Sequence, residues 1–444
     1  MLSQNQSTII LLSIDGLANY YLEDPKVKMK NLRKLIESGT VAQGMNSIFP
    51  TATWAIHTSM VTGKYPNKHG VLGNRVVRKD IKQIGEYFGD RMWDKEDVLI
   101  GETIYDAAKR LGYKTASICW PVTRGAKSID FNIPEFYEQD LFEKYSSQPF
   151  WNELKDAGFP VDQYGSWSTD HSRGQMQDWL TTEITKYLIQ KRQANFIMLH
   201  YLLPDSFQHD YGTKSKEVYW ALEYIDERIG DLIETLQSEG LWEDSHLFIC
   251  SDHGFVDTKR TLYPNVLFKL NGLYDSQNPS NSKVLAVSNG GSSYVYLLEK
   301  DNIERERLRV VVRNLLNDTD GIRDVYEIDR FAELGLPGLG EHDNQRPDFV
   351  LECELDCFVH FEDSGNEVIV NESKIKGMHG YLPSHQQLKA MFIAVGKSFH
   401  SNHIIPEMNV VDIAPTIAKL LDVELENADG QVIEALFKEI RMIH

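Results

Sequence analysis

Short apolar runs alternate with amphipathic segments along the N-terminal part of the chain. Three runs are apolar almost throughout, as is typical of parallel strands buried on both faces: residues 8–14, 196–203 and 246–251. Four segments instead carry apolar side chains at helical spacing: residues 29–38, 102–111, 175–191 and 218–238. This alternation predicts an α/β fold with a mostly parallel central sheet and helices on both faces.

The pattern changes between residues 262 and 370, where polar, turn-rich stretches separate short strands from one helix. We expect residues 262–370 to form a smaller α+β insertion, or cap, domain. An apolar strand at 391–395 and a closing helix at 409–423 then return to the first pattern. The catalytic core is therefore expected to comprise residues 1–261 and 371–444.

Two irregular regions are expected to border a cleft. Residues 129–169 are rich in aromatic residues, proline and glycine and have little periodicity, which predicts loops and short helices along one side. Residues 335–346 are glycine-rich and then charged, and we expect this loop to reach towards the cleft from the insertion.

Composition narrows the function. The chain has 444 residues, more than one ordinary hydrophobic core usually serves, and 42% of them are hydrophobic. Its formal net charge of −19 would repel a phosphate backbone, so we expect no nucleic-acid polymer as partner. A small anionic substrate could still be held by bound metal, which supplies a local positive charge.

The expected compartment is the cytoplasm. The N-terminal stretch lacks the basic residues of a signal peptide, and no apolar run approaches the roughly 20 residues of a membrane span, so no membrane is expected. The four cysteines are sparse, which favours reduced and mostly buried thiols. The sequence does not define an oligomeric state.

Acidic residues and histidines follow the apolar runs. In an open α/β sheet, sites form at the carboxyl ends of parallel strands, where these side chains would meet. A turn aspartate before glycine is the alternative for Asp15, and a surface ion pair is the alternative for Asp205 and His209. Three carboxylates and three imidazoles make two sets of three metal ligands: Asp15, Asp205, Asp252, His209, His253 and His379. This mixture suits two zinc ions, with manganese or iron as alternatives.

Residues 49–74 place several hydroxyl groups at the start of an amphipathic stretch. The N-terminus of a helix favours negative charge, so Thr51 or Thr53 there could attack phosphorus, although an ordinary helix cap is the alternative for each. Two metal ions a few ångströms apart are a common device for phosphoryl transfer, because one activates the nucleophile and the other the leaving oxygen. The chain has neither a P-loop nor a G-x-S-x-G sequence.

Eight short motifs in order resemble the nucleotide pyrophosphatase/phosphodiesterase family of the alkaline phosphatase superfamily. They begin with I-D-G (14–16), P-T-A-T-W (50–54), V-T-G-K-Y-P-N-K-H-G-V-L-G-N (61–74) and W-P (120–121). They continue with P-D-S-F-Q-H-D-Y-G (204–212), S-D-H-G (251–254), G-M-H-G-Y (377–381) and D-I-A-P-T (412–416). Each motif is weak alone, but together they cover most of the chain.

The resemblance implies an alkaline-phosphatase-like fold and a role for each matched residue. Thr53, not Thr51, corresponds to the nucleophile, and Asn74 to a side chain that binds a phosphate oxygen together with the backbone N–H at Thr53. Trp54 occupies an aromatic position that helps to sandwich a base or leaving group. One zinc would be held by Asp15, Asp252 and His253, with Thr53 Oγ approaching it. The other would be held by Asp205, His209 and His379.

The sequence departs from the family pattern beside the nucleophile. Ala52 stands where the family often has lysine, and Trp54-Ala55-Ile56 stands where it often has Phe-Pro-Asn. Val122 replaces the usual glycine after W-P. These changes leave the expected chemistry intact and concern the substrate pocket.

The expected function is metal-dependent hydrolysis of phosphodiester or pyrophosphate bonds in nucleotide-type substrates, through a phosphothreonine intermediate. One alternative is a phosphonoacetate-type hydrolase of C–P bonds, with Arg124 and Lys127 as candidate partners of the substrate carboxylate. A phosphomonoesterase of the same superfamily is another. A sulfatase is disfavoured because its C/S-x-P-x-R motif is absent. A non-catalytic binding protein is disfavoured because all seven metal and nucleophile positions are filled.

Overall fold

The central element is an eight-stranded sheet. The computed structural model describes residues 6–87 and 93–439. From one edge of the sheet to the other, the strands are His403–Ile405, Thr40–Ala42, Phe392–Gly396, Ser245–Cys250, Thr8–Ile14, Phe196–Tyr201, Thr115–Trp120 and Phe131–Pro134. Phe392–Gly396 runs antiparallel to both of its neighbours, and the other pairs are parallel. The prediction of a mostly parallel sheet is confirmed.

The central position of the strand Thr8–Ile14 in the sheet explains why its sequence is mostly apolar. Every residue of it is buried, and it pairs in parallel with Phe196–Tyr201 on one side and Ser245–Cys250 on the other. Its alternate side chains enter two separate hydrophobic cores, because successive side chains of a strand point to opposite faces. Ile10 and Leu12 belong to one core, and Ile9 and Leu11 to the other.

Helices cover both faces of the sheet, as predicted. In chain order the α-helices are Lys30–Ser38, Thr53–Thr62, Pro66–His69, Lys95–Val98, Ile104–Arg110, Gln139–Tyr145, Gln148–Asp156, Tyr164–Ser168, Gly174–Gln190, Leu203–Tyr211, Lys216–Ser238, Pro264–Leu270, Asn302–Asn317 and Ile413–Leu420. Lys216–Ser238 and Gly174–Gln190 pack on the face that carries Ile10, whereas Thr53–Thr62 and Ile413–Leu420 pack on the opposite face. None of the helices in the described ranges combines the length and the apolar character that crossing a bilayer requires.

The segment 262–370 contains a second, antiparallel sheet. Its strands lie in the order Val284–Ser288, Ser292–Leu297, Phe349–Cys353 and Ile322–Glu327. The helix Asn302–Asn317 buries Leu308, Val312 and Leu316 in the core of this sheet. The sheet is joined to smaller ones at its base: Arg260–Leu262 with Cys357–Val359 and Ile369–Val370, and Val256–Asp257 with Gly377–Met378. Two further pairs lie elsewhere: Met45–Asn46 with Met408–Asn409, and Arg75–Arg78 with Gln83–Glu86.

The insertion shares a hydrophobic core with the segment around the predicted nucleophile. Trp54 and Val71 pack in one cluster with Tyr294 and Tyr296 of the antiparallel sheet. Tyr294 also donates its hydroxyl hydrogen to the carbonyl of Leu72, at 2.6 Å. The boundary at 262–370 stays a prediction, and the two parts are in direct contact at this cluster.

Two predicted segments differ from the structure. The closing α-helix spans only Ile413–Leu420, because Asn409 and Asp412 cap each other's backbone and start a short 3₁₀ turn instead. The region 129–169 does contain short helices, but it also supplies the edge strand Phe131–Pro134. Its alternation is too short for a strand to be recognised without the neighbouring strand.

Candidate functional site

The predicted ligands meet at the carboxyl edge of the central sheet. Asp15 directly follows the strand Thr8–Ile14, and Asp252 follows Ser245–Cys250 after one residue. Asp205 and His209 lie one turn apart on the helix Leu203–Tyr211, which begins directly beyond the strand Phe196–Tyr201. These three strands are neighbours in the sheet, so the side chains that follow them converge.

The first group consists of Asp15, Asp252 and His253, whose potential ligand atoms lie within 4.8 Å of one another. The Nε2 atom of His253 is 3.4 Å from Asp15 Oδ1 and 3.2 Å from Asp252 Oδ2. Ligand atoms around a tetrahedral zinc ion with bonds of about 2.1 Å lie about 3.4 Å apart. The spacing of this group therefore fits one ion.

The second group consists of Asp205, His209 and His379, again with potential ligand atoms within 4.8 Å of one another. The Nε2 atom of His209 is 3.4 Å from Asp205 Oδ2, and that of His379 is 3.6 Å from Asp205 Oδ1. The rings of His379 and His253 stack at 3.7 Å between centroids, so the two groups are adjacent.

Backbone carbonyls orient all three histidines. Nδ1 of His209 donates to the carbonyl of Gly377 at 2.9 Å, and Nδ1 of His253 to its neighbour Gly254 at 3.2 Å. Nδ1 of His379 donates to the carbonyl of Thr51 at 2.6 Å. Each Nε2 is thereby left with its lone pair towards the site, which is the arrangement that a metal-binding histidine needs.

Burial leaves several polar atoms of the two groups without hydrogen bonds. Asp15 Oδ1, Asp205 Oδ1, Asp252 Oδ2 and His253 Nε2 are buried and have no hydrogen-bond partner among the described residues. Such atoms are costly unless an ion or another group satisfies them. The donor set of carboxylate oxygens and imidazole nitrogens fits divalent cations such as zinc.

The pKa values of these groups reflect the same crowding. Burial raises the pKa of the Asp15 carboxyl well above its ordinary range, and the nearby Asp205 and Asp252 raise it further. Burial also raises the pKa of Asp205 to about 6. For His253 and His379, burial lowers the pKa well below the usual range, which keeps the rings neutral. Bound cations would relieve the repulsion among the carboxylates.

The structure distinguishes the two candidate threonines. The Thr51 hydroxyl donates to the carbonyl of Tyr381 at 3.0 Å and accepts from the N–H of Gly380 at 2.8 Å. Thr53 is the first residue of the helix Thr53–Thr62, lines the cleft, and has no hydrogen bond from its hydroxyl to any described residue. The helix cap is Ala52, which has no side-chain cap to offer. Thr51 is therefore committed to the fold, whereas the Thr53 hydroxyl is available for chemistry.

Asn74 lies beside Thr53 and is held on two sides. Its side-chain oxygen accepts from the N–H of Trp54 at 3.1 Å, which leaves its NH₂ group to donate into the cleft. The Asn74 backbone N–H in turn donates to Asn289 Oδ1 at 3.0 Å. Asn289 belongs to the insertion and was not singled out by the sequence.

Trp54, which follows the predicted nucleophile, is buried. Its side chain is 3% exposed, packs in the hydrophobic cluster with Val122 and Trp93, and is not among the residues that line the cleft. Only its backbone N–H faces Asn74. The substrate-stacking role of Trp54 stays a prediction, and in this structure the indole ring packs inside a hydrophobic cluster.

Other aromatic side chains line the cleft. The cleft is a cavity of 390 Å³, and its lining includes Asp15, Thr53, Asn74 and the three residues of the second group. Phe136 and Tyr137 line it from the core, and His360 and Phe361 from the insertion. The His360 and Phe361 rings stack at 5.0 Å, and the Arg75 guanidinium lies 5.3 Å from the centroid of Phe361.

Three predicted elements lie away from this cleft. Arg124 donates from Nε to Asp94 at 2.7 Å and stacks over Tyr145, and Lys127 is exposed elsewhere. Neither cation is among the cleft-lining residues, so these two candidate partners of a phosphonoacetate carboxylate do not face the cleft. The loop 335–346 contributes no residue to the cleft lining. Instead, His342 within this loop has its Nε2 atom 3.0 Å from the carbonyl oxygen of Asn67.

A buried polar layer lies behind the first group and was not predicted from the sequence. His57, His200 and Glu135 are buried there, and the ligand atoms of His57, His200 and Asp252 also lie within 4.8 Å of one another. His57 shares the helix of Thr53, and its spacing of four residues from Thr53 was the only available signal. Nothing in the sequence links Glu135 to His200.

The fold and this site together indicate a hydrolase with an α/β fold that acts on phosphorus esters or anhydrides. The chain belongs to the type I phosphodiesterase / nucleotide pyrophosphatase family, whose family model matches residues 9–382. It is therefore a hydrolase of the alkaline phosphatase superfamily, as the motifs predicted. The family resemblance, the fold class and the hydrolase class are all confirmed.

Similar proteins span nearly the whole chain. Bis(5'-adenosyl)-triphosphatase ENPP4 of Bos taurus is 25% identical over 432 residues, which cover 96% of this chain and 81% of that protein. Ectonucleotide pyrophosphatase/phosphodiesterase family member 7 of Rattus norvegicus is 24% identical over 443 residues, covering 96% of this chain and 86% of that one.

A solved structure of murine ectonucleotide pyrophosphatase/phosphodiesterase 5, an inactive variant in complex with AMP, has a similar fold. The TM-score is 0.70 at 18% sequence identity, and the match covers 98% of this chain and 100% of the other. At this identity the likeness concerns the fold alone.

Proposed function

We propose that this chain hydrolyses phosphodiester or pyrophosphate bonds in small nucleotide-like substrates, with Thr53 as the nucleophile and two zinc ions as cofactors. The observation that carries the proposal is the Thr53 hydroxyl, which is uncommitted, begins a helix and shares one cleft with both ligand groups. Relatives named bis(5'-adenosyl)-triphosphatase and venom phosphodiesterase support the substrate class.

Each cation would have its own set of side chains. Asp15, Asp252 and His253 would hold one, beside Thr53, and the second group would hold the other. When bound, two such cations lower the pKa of a nearby hydroxyl and neutralise charge on phosphoryl and leaving-group oxygens. Zinc is the first choice for mixed imidazole and carboxylate ligands, and manganese or iron are alternatives.

In the first step, Thr53 Oγ attacks phosphorus. A new bond forms between Oγ and phosphorus, the bond from phosphorus to the leaving oxygen breaks, and the hydroxyl proton passes to water. The NH₂ group of Asn74 donates to a non-bridging oxygen, and so does the backbone N–H of Thr53 at the start of the helix Thr53–Thr62. The product of this step is a phosphothreonine at Thr53.

In the second step, water attacks the phosphothreonine from the side that the leaving group has vacated. The bond between phosphorus and Thr53 Oγ breaks, and Thr53 takes up a proton. Asn74 keeps its contact through both steps, because the non-bridging oxygens stay on the same phosphorus atom. A diester thus yields a monoester and an alcohol, and a bis(5'-adenosyl) triphosphate yields AMP and ADP.

The cleft walls favour a nucleotide-like substrate. Phe136 and Tyr137 on the core side and His360 and Phe361 on the insertion side offer aromatic surfaces for a base. Arg75, the one arginine or lysine among the described cleft-lining residues, offers a charge for further phosphates. Binding therefore depends on the site and not on a basic surface, in agreement with the acidic chain.

A side-by-side rate comparison tests the proposal. The zinc-loaded protein would be assayed on bis(5'-adenosyl) triphosphate, a chromogenic phosphodiester, the matching monoester and phosphonoacetate. We expect kcat/KM to be highest for the first two. Preference for the monoester or for phosphonoacetate would overturn it in favour of the corresponding alternative. Mass spectrometry of acid-quenched protein should locate a transient phosphate on the peptide that contains Thr53.

The cytoplasmic location expected from the sequence stays a proposal. The four cysteines, Cys119, Cys250, Cys353 and Cys357, are unpaired and buried, which supports a reducing compartment. Fractionation of cells that produce the protein, with compartment markers, would test this location.

A further inference from the structure

His200 lies between two carboxylates in the buried layer behind the first metal group. It belongs to the strand Phe196–Tyr201, and its side chain is fully buried. Its Nδ1 atom is 3.2 Å from Glu135 Oε2, and its Nε2 atom is 3.5 Å from Asp15 Oδ2. Glu135 itself is 3% exposed and directly follows the edge strand Phe131–Pro134.

The neighbouring His57 is a buried histidine with a hydrogen-bond partner for each of its two ring nitrogens. Nδ1 of His57 donates to the carbonyl of Thr53 at 2.8 Å, and its Nε2 is 2.9 Å from Ser13 Oγ. Both nitrogens of that ring are therefore used. His200, whose ring lies 4.2 Å from that of His57, has only its Nδ1 bonded, and its buried Nε2 makes no hydrogen bond to any described residue.

A buried side-chain nitrogen without a hydrogen-bond partner is uncommon in native proteins and often marks a functional site. The Nε2 atom of His200 is directed at Asp15, which belongs to the first metal group. Histidines and carboxylates that stand behind metal ligands commonly fix the orientation of those ligands, and removing them typically costs 10–100-fold in metal affinity or activity. Glu135 has the corresponding place behind His200, because it holds the other ring nitrogen.

Glu135 also reaches the nucleophile side of the cleft. It lines the cleft with Thr53 and Asp15, and it also lines a small neighbouring cavity together with Trp54, the residue after Thr53. One carboxylate thus contacts the histidine behind Asp15 and lies near the residue next to the nucleophile.

We propose that Glu135 and His200 are positioning residues, which hold the Asp15 carboxylate in the orientation that the first metal ion requires. The inference rests on the proposed function in that it assumes a cation between Asp15, Asp252 and His253. Glu135 fixes the ring of His200, and the ring fixes Asp15. Without this pair, Asp15 can rotate about its side-chain bonds and the first ion binds less tightly.

The test measures zinc binding in the absence of substrate. Zinc affinity and stoichiometry would be determined by chelator competition for the wild type, His200→Phe, His200→Gln and Glu135→Ala. We expect His200→Phe and Glu135→Ala to weaken one of the two zinc sites by 10–100-fold and to leave the other unchanged. The amide of His200→Gln can still donate towards Asp15, so this variant should recover most of the affinity.

Two further comparisons separate positioning from simple stability. The double variant His200→Phe/Glu135→Ala should bind zinc no worse than either single variant, because both changes break one chain of contacts. His246→Phe is the matched control, since His246 is a buried histidine on the strand Ser245–Cys250 that contacts Ser398. It should lower Tm without changing zinc affinity. If His200→Phe is unstable, Glu135→Ala still tests the proposal through the same binding curve.

Several results would overturn the inference. Unchanged zinc binding in both His200→Phe and Glu135→Ala would do so, and so would a His200→Gln variant as weak as His200→Phe. Loss of a nitrogen ligand from the cobalt-substituted spectrum of His200→Phe would make His200 a direct ligand instead. These results do not depend on turnover: a chain that cleaves no phosphorus ester but loses one zinc in His200→Phe would contradict the proposed function and leave this inference standing.

Discussion

Nδ1 of His379 donates a hydrogen bond of 2.6 Å to the carbonyl of Thr51. The Thr51 hydroxyl bonds the N–H of Gly380 and the carbonyl of Tyr381, so three hydrogen bonds join the two segments. Thr51 stands two residues before Thr53, which begins the helix Thr53–Thr62. The loop that carries a ligand of the second group is therefore tied directly to the segment of the proposed nucleophile.

Thr51→Val should separate the structural threonine from the chemical one. The change keeps the shape of the side chain but leaves a buried N–H at Gly380 and a carbonyl at Tyr381 without their partner. We expect a loss of about 1–3 kcal/mol in the free energy of unfolding. Urea unfolding would measure it. The variant should retain turnover within about tenfold at saturating zinc, and a complete loss of turnover would contradict the assignment of roles.

Thr53→Ala should have the opposite profile. Its hydroxyl makes no hydrogen bond to any described residue, so stability should change by less than about 1 kcal/mol. Turnover should fall by at least roughly 10³-fold, because the covalent step loses its nucleophile. Initial rates and zinc content would be measured on the same preparation. Near-native turnover with both ions bound would show that Thr53 is not the nucleophile.

The central sheet and the ligand sets were predictable because each follows a local rule. The mostly apolar run at residues 8–14 matches the strand, since a strand buried on both faces needs apolar residues at most positions. Asp15 and Asp252 directly follow such runs, and the spacing of Asp205 and His209 sets them on one helix face. The local spacing of residues in the sequence was therefore sufficient to predict most of the metal-ligand residues.

The rest depends on contacts between distant segments. Trp54 was expected to stack on substrate, but its ring is buried in a cluster that includes tyrosines of the insertion. Glu135 and His200 are separated by 65 residues in the chain and meet only because the strands that carry or precede them are near neighbours in the sheet. Asn289 likewise reaches Asn74 from the insertion. Neither hydrophobic periodicity nor a short sequence motif predicts contacts between segments that are distant in the chain.

Asn289→Ala should impair catalysis through Asn74. Asn289 Oδ1 accepts from the backbone N–H groups of Asn74 and Arg75, at 3.0 and 3.3 Å, and so fixes the loop that carries the phosphate-binding amide. We expect kcat to fall about tenfold with zinc affinity unchanged, since neither asparagine belongs to a ligand group. Steady-state kinetics and zinc titration would measure the two effects.

Asn74→Ala is the matched comparison for this change. It removes the donor itself, so kcat should fall further, by about 10²–10³-fold. The double variant should be no worse than Asn74→Ala alone, because Asn289 acts through Asn74. Additive losses would mean that Asn289 has a separate role.

Removal of metal should cost both activity and stability. The carboxylates of Asp15, Asp205 and Asp252 are crowded, and several of their oxygens have no hydrogen-bond partner among the described residues. A ligand present at 100 times its Kd stabilises the folded state by about 2.7 kcal/mol per site. Calorimetry with and without a chelator should therefore show a lower Tm for the stripped protein. Zinc should restore Tm and turnover, and an equal Tm in both states would contradict metal binding at these groups.

His69, which lies outside both ligand groups, should contribute to the pH dependence of the free energy of unfolding. Burial lowers the pKa of His69 to about 3. The neutral ring is also fixed by its contacts, because Nδ1 accepts from the N–H of Val71 at 3.1 Å and Nε2 is 3.0 Å from Ser59 Oγ. The unfolded chain binds a proton at this residue below about pH 6.5, and the folded chain does not.

Stability should therefore be fully present above about pH 6.5 and fall as the pH decreases towards 3, by up to about 1.4 kcal/mol per pH unit for this group. His69→Gln removes the titration, so its free energy of unfolding should decrease less steeply between pH 6.5 and 5, even if it is lower at pH 7.5. Urea unfolding of both proteins in chelator, which removes the pH dependence of metal binding, would measure the two slopes. Equal slopes would mean that His69 is protonated in the folded protein as readily as in the unfolded chain.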